Sequence, residues 1–118
     1  MIEALDRGVH AFMPTAMHLI YTEIFALYRS GAREEAQALF HRLLPVIAFT
    51  NQHLDISIYF FKRLLHRQGI YSTDRVRGLR LPFDEYHQRL ADELIERVQG
   101  LEGEILHCRT LLRGEGGR

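Results

Sequence analysis

Seven histidines could bind a metal ion or transfer protons in this 118-residue chain. They lie at positions 10, 18, 41, 53, 66, 87 and 107, and no two are three or four residues apart. A zinc or iron site on a helix needs that spacing, or a carboxylate one turn away, to bring two ligands onto one face. His87 with Asp84, and His107 with Glu104, are weak examples of this pattern. We therefore expect scattered histidines, with no metal and no other cofactor.

Lys62 is the only lysine, and the two phenylalanines before it could form an apolar wall that lowers the pKa of its amine. An amine of that kind can form a Schiff base with a carbonyl substrate. The alternative is a lysine at the edge of a buried helical face, with its stem over apolar surface and its amine in solvent. The position one residue past the predicted face favours this second interpretation.

Arg75, Arg77 and Arg80 place three guanidinium groups in one predicted loop. Such a cluster can bind a phosphate or a carboxylate. A solvated basic loop, or one that pairs with helix C-termini, is the commoner arrangement. The sequence contains no P-loop, dinucleotide fingerprint or nucleophile elbow that would indicate a reaction.

The composition is that of a single globular domain. Hydrophobic residues make up 47% of the chain and charged residues 25%, and fifteen basic side chains balance fifteen acidic ones. A net charge of zero argues against nucleic acid and anionic membranes as partners, because both attract excess positive charge. The single cysteine, Cys108, cannot form a disulfide within the chain. We expect a cytoplasmic protein without a secretory signal or a membrane-spanning helix.

Apolar spacing and glycine positions predict an all-α fold, a bundle of four to five helices. The first helix is expected from an N-cap at Thr15 to about Ser30, with Gly31 as its stop. The second opens at Arg33 and is expected to kink or break at Pro45.

A third helix is predicted from Asp55 to about Gln68, and a fourth from near Asp84, where Gly100 and Gly103 weaken it and leave a separate last piece. The residues expected to be buried share helical spacing: Ile20, Ile24, Leu27 and Tyr28; Ile58, Phe61, Leu64 and Leu65; Tyr86, Leu90, Leu94, Ile95 and Val98.

A short strand-like segment precedes the helices. Val9–Met13 is an apolar run between Gly8 and Pro14, the right size for one buried strand or an extended lead-in. A lone strand leaves its backbone groups without partners, so the segment either pairs with something outside the chain or is not a strand. An unpaired strand and a first helix with two apolar stripes together predict a homo-oligomer.

An ordered set of motifs resembles the C-terminal third of the dihydrodipicolinate synthase / N-acetylneuraminate lyase family, over about residues 4–100. The motifs are the strand-like residues 4–14, then Tyr28–Gly31, Glu35–Phe40, Leu43–Pro45, Lys62 seven residues before Gly69, and Arg80–Pro82.

The resemblance implies the last strand and C-terminal helices of a (β/α)₈ barrel. Enzymes of this family are aldolases or dehydratases, lyases that act on 2-oxo acids through a lysine Schiff base. Their catalytic residues lie on earlier strands, so this chain would carry none of them, and Lys62 matches a structural lysine. Met13, Pro14 and Thr15 would border the barrel mouth, and they are the only residues that we connect with a substrate. A complete barrel needs about 250 residues.

Two hypotheses follow. The chain is a C-terminal fragment of such a lyase, inactive alone and binding a 2-oxo acid only within an intact barrel. Alternatively, it is an independent helical interaction and oligomerisation module without catalytic activity. We divide it into residues 1–14 as the remnant of the last strand and its lead-in, 15–113 as the helical domain and 114–118 as a disordered tail.

Overall fold

The computed structural model describes residues 1–78 and 83–115, in which five α-helices follow one another. They are α1 (Ile2–Asp6), α2 (His18–Arg29), α3 (Arg33–Thr50), α4 (Leu54–Arg67) and α5 (Glu85–Glu115). Those residues contain no β-strand. The prediction of an all-α fold with four to five helices is confirmed, whereas its resemblance to part of a barrel is not.

The strand-like segment expected near the N-terminus is not a strand. The chain opens with the short helix α1 instead, and residues 9–14 have no regular secondary structure. Gly8, at φ 87°, donates its N–H to the carbonyl of Leu5 at 2.9 Å, and Val9 donates to the carbonyl of Ala4 at 3.0 Å. This pair of bonds is the Schellman motif, which ends a helix at a left-handed glycine. Gly8 therefore closes a helix rather than leading into a strand.

Three of the other helix ends follow the predicted signals, and one does not. Gly31 follows α2 and Gly69 follows α4, both with positive φ, as expected of glycines at helix C-termini. The carboxylate of Asp84 accepts the backbone N–H of His87 at 2.9 Å at the start of α5. Thr15, in contrast, is not the cap of α2, because that position belongs to Met17.

Of the kink or break expected at Pro45, the break is absent, because helix α3 continues through this residue. Proline removes one backbone donor and crowds the preceding turn, at a cost of about 3 kcal/mol. Val46 and Phe49, which follow it, are 0% and 3% exposed. Burying a large apolar side chain contributes about 1.5–3 kcal/mol each, so tertiary packing offsets the local cost.

Helix α5 likewise continues through Gly100 and Gly103, where a separate last helix was expected. Each glycine costs about 1 kcal/mol relative to alanine, and buried Leu101 and Ile105 on the same stretch offset it. The helix includes residues 114–115 of the tail that was predicted to be disordered, and residues 116–118 lie outside the described range.

The chain forms two compact units. One comprises Met1–Arg42 and Arg97–Arg118, and its buried apolar residues include Ile2, Leu5, Ile20, Ile24, Val98, Leu101 and Ile105. The other is Leu43–Glu96, with Leu43, Val46, Phe60, Leu64 and Ile95 among its fully buried side chains. In the described part of the chain, no helix has the length and apolar character needed to cross a membrane.

Arg63 joins α4 to α5 within the second unit. Its Nε and Nη2 donate to the two carboxylate oxygens of Asp92 at 2.6 and 2.9 Å, and its Nη1 donates to Asp74 at 3.1 Å. Arg67 lies 2.9 Å from the same Asp92 carboxylate. The hydrogen bonds from Arg63 are the main reason why the pKa of Asp92 lies below its ordinary value. The planar guanidinium thus fixes both the distance and the direction of this contact.

We expect Asp92→Asn to lower the free energy of unfolding by about 1–2 kcal/mol, because it removes the charged acceptor of two partly buried guanidinium groups. Urea unfolding followed by circular dichroism measures the change. The matched control is Glu93→Gln on the next residue, whose carboxylate is 64% exposed and 4.0 Å from Arg89. An exposed pair of this kind contributes about 0.5 kcal/mol or less, so equal losses in the two variants would contradict the role given to Asp92.

Candidate functional site

A cavity of about 300 Å³ lies within the first unit, between residues 10–14 and α2. Its lining consists of Met1, His10, Ala11, Phe12, Pro14, His18, Tyr21, Thr22 and Phe25. The volume is at the lower end of small-molecule sites, and it corresponds to about ten water molecules of ~30 Å³ each. The cavity therefore has the size for a small organic molecule.

One face of α2 forms a wall of the cavity. The residues on it are spaced i, i+3, i+4 and i+7, which places them in one stripe of a helix: His18, Tyr21, Thr22 and Phe25. Ile20 and Ile24 lie on the opposite side of α2 and are 0% exposed. Because that side is packed in the core, the stripe toward the cavity has a fixed position.

A second wall, outside any helix, is formed by His10, Ala11, Phe12 and Pro14. Met17 connects this wall to α2 with φ 61° and ψ 32°, a left-handed conformation that is uncommon for a residue other than glycine. Its side chain is 3% exposed, and that of Ala16 beside it is 1% exposed. Burial of these two side chains holds the turn that brings the segment against α2.

The structure separates the three residues that the barrel-mouth interpretation connected with a substrate. Pro14 lines the cavity. Met13 is fully exposed, and Thr15 is also exposed to solvent.

Polar side chains on the cavity wall present both donors and acceptors. The hydroxyl of Thr22 donates to the carbonyl of His18 at 2.6 Å, so its oxygen still has lone pairs with which to accept. Burial raises the pKa of Tyr21 above its ordinary value, so its hydroxyl stays protonated and can donate. His10 and His18 add two imidazole rings, each with a ring N–H. The cavity can thus bind a polar group beside an apolar one.

Asp6 attaches α1 to the rest of the first unit. Helix α1 directly follows the cavity residue Met1. Its carboxylate accepts from Nε and Nη2 of Arg33 at 3.0 and 2.6 Å, and from the hydroxyl of Tyr28 at 2.8 Å. These bonds, that of Arg33 first, lower the pKa of Asp6 from 3.8 to about 2. Ile2 and Leu5 of α1 are each 6% exposed, so apolar burial adds to this attachment.

The lysine and arginines considered from the sequence belong to the second unit. The Nζ of Lys62 donates to the backbone carbonyl of Arg75 at 3.0 Å, a contact that holds the loop after α4. Lys62 is half-buried on α4, but the buried face beside it differs from the expected one, since Phe60 is fully buried and Phe61 only half-buried. Arg75 and Arg77 are exposed, and Arg80 lies outside the described residues.

The histidines are distributed over several elements. His87 Nδ1 lies 2.8 Å from Asp84 Oδ1, which is the pair that their spacing indicated. His66 Nδ1 lies 2.9 Å from the carbonyl oxygen of Tyr71. Within residues 1–78 and 83–115, no group of three or more histidine, cysteine or acidic side chains is placed to hold a metal ion.

Comparisons with models of known protein families, with curated proteins and with solved structures find no match for this chain. The resemblance to the lyase family therefore stays a prediction. The sequence did not predict the cavity, although Tyr21 and Phe25 share an apolar stripe of the first predicted helix. The polar residues His18 and Thr22 within that same stripe are the sequence feature that could have indicated the cavity.

We expect Asp6→Asn to speed amide hydrogen exchange in α1 at pH 6, because the asparagine loses the charge-assisted bonds to Arg33. The folded-state pKa is depressed, so the contribution of Asp6 to stability is complete above its unfolded value of 3.8 and is lost as the pH falls through about 2. The difference between the two proteins should shrink over that range.

NMR titration of the Asp6 carboxyl carbon tests the same contact directly. Glu3→Gln is the control, since Glu3 is 85% exposed and lies 3.8 Å from Arg7 in the same helix. Titration of Asp6 at its ordinary pH, or an equal effect of Glu3→Gln, would contradict the attachment.

Proposed function

We propose that this chain is a helical binding module that takes up a small molecule in the cavity beside α2. The observation that carries the proposal is the composition of the cavity wall. Aromatic surfaces of Phe12, Tyr21 and Phe25 lie with the polar side chains of His10 and His18 around one volume of about 300 Å³. Small-molecule sites typically have this character, mostly apolar with a few polar groups that orient the ligand.

The fixed position of the walls supports the proposal further. A site that is formed before the ligand arrives loses less conformational freedom on binding. The fully buried Ile20 and Ile24 hold the α2 wall, and the bonds of Asp6 to Arg33 hold α1. The ligand would therefore enter a cavity whose main wall is already ordered.

The lyase-fragment hypothesis remains a second proposal, and one placement is consistent with it. Pro14, which the resemblance put at the barrel mouth, lines the cavity. The interaction-module alternative and the expected homo-oligomer also stay predictions. So does a cytoplasmic location.

Filling the cavity tests the binding proposal. We expect Thr22→Phe to abolish binding of small aromatic probes, because the added ring occupies the space next to Phe25 and His18. The probes are 3-phenylpropanoate, 3-phenylpropanamide and 3-phenylpropylamine, added at millimolar concentration while amide chemical shifts are recorded. At least one should shift the amides of residues 10–25.

Thr110→Phe is a closely matched control. Thr110 is an exposed threonine on α5 whose hydroxyl donates to the carbonyl four residues earlier, that of Leu106, at 2.9 Å, as Thr22 does on α2. The control should keep the binding that Thr22→Phe loses. No shift with any probe, or equal loss in both variants, would overturn the proposed function.

The lyase hypothesis has its own test. Incubation with pyruvate and sodium borohydride, followed by peptide mass mapping, should leave Lys62 unmodified, because its amine is bonded to the carbonyl of Arg75 and the resemblance assigns it a structural role. A mass increase on the peptide that contains Lys62 would show imine formation by this chain alone.

A further inference from the structure

The residues that line the cavity differ in charge from the chain as a whole. The chain has equal numbers of acidic and basic side chains, yet neither aspartate nor glutamate occurs among the residues that line the cavity in the described structure. The polar side chains there are His10, His18, Tyr21 and Thr22. Three of these offer a donor: the two imidazoles through a ring N–H and the tyrosine through its hydroxyl.

Two carboxylates on the neighbouring helices α1 and α2, those of Asp6 and Glu23, are each paired with an arginine. Asp6 of α1 accepts two bonds from Arg33. Glu23 of α2 accepts bonds from Nε and Nη2 of Arg109 at 3.0 and 2.6 Å. Because these carboxylates are compensated, their repulsion of an anion in the cavity is reduced.

From this lining we infer that the cavity binds a small carboxylate with an aromatic or apolar body, its ring against Phe12 and Phe25 and its carboxylate toward His10, His18 and Tyr21. The inference rests on the proposed function and specifies its ligand class. Hydrogen bonds from the imidazole and tyrosine donors to a charged carboxylate are stronger than those to a neutral amide, and a cation offers these donors no acceptor. The apolar walls select against small anions that have no ring.

Titrations of the wild-type chain with four probes test the inference without any variant. The dissociation constant of 3-phenylpropanoate should be at least tenfold lower than those of 3-phenylpropanamide and 3-phenylpropylamine, which have the same ring and chain length. Pyruvate, a carboxylate without a ring, should also bind at least tenfold more weakly. The measurement is the concentration dependence of amide shifts in residues 10–25.

Variants then assign the preference to particular side chains. His18→Phe and His10→Phe keep an aromatic ring and remove its N–H groups, so each should weaken 3-phenylpropanoate more than 3-phenylpropanamide. His107→Phe on the exposed surface of α5 is the control and should leave both affinities unchanged. Thermal unfolding by circular dichroism verifies that each variant folds.

The outcomes separate the two proposals. Binding of the carboxylate and the amide with equal affinity, or a preference for the amine, would overturn the ligand class and leave the binding function standing. A carboxylate preference that survives in both His10→Phe and His18→Phe would also overturn it. Absence of binding by all four probes would overturn the proposed function as well.

Discussion

The longer helices, α2 to α5, satisfy most of their backbone hydrogen bonds internally, so side chains decide which helices pack together. Apolar burial supplies most of the free energy, but it acts without direction. Arginine adds direction, because its planar guanidinium group binds a carboxylate in a fixed orientation. Four such contacts join residues that are 27 to 86 positions apart in the chain: Arg33 with Asp6, Arg42 with Glu104, Arg63 with Asp92, and Arg109 with Glu23. Within each unit, these contacts add a fixed direction to packing that apolar burial drives.

Local signals predicted much of the helical structure. Apolar spacing located α2 to α5 to within a few residues, and glycines marked the ends of α2 and α4. The separate last helix was wrong, because longer-range packing outweighs local preference at Gly100 within α5. The start of α5 shows the same limit, because Tyr86 and Leu90 keep helical spacing with its core yet are 63% and 43% exposed. Spacing indicates which residues share a face, but not where along a helix its partner begins.

The cavity was less accessible to sequence analysis than the helices. The histidines were judged by the spacing that a metal requires, and His10 and His18 do not satisfy it. What brings them to one cavity is the turn at the left-handed Met17, which sets residues 10–14 against α2. A spacing rule that describes a single helix cannot predict this turn, because the turn lies outside the helix. Pro14 was connected with a ligand from the family resemblance, while its place in the cavity wall depends on tertiary structure.

The first unit is discontinuous in the chain, and this has a consequence for synthesis on the ribosome. Its two segments are separated by the whole of the second unit, Leu43–Glu96. The ion pair between Glu23 and Arg109 therefore cannot form until Arg109, 86 residues later, has been synthesised. At about 5–20 residues per second, this delay lasts several seconds. The second unit is contiguous, so all of its residues leave the ribosome before the second segment of the first unit is synthesised, and the first unit can complete its packing only after that.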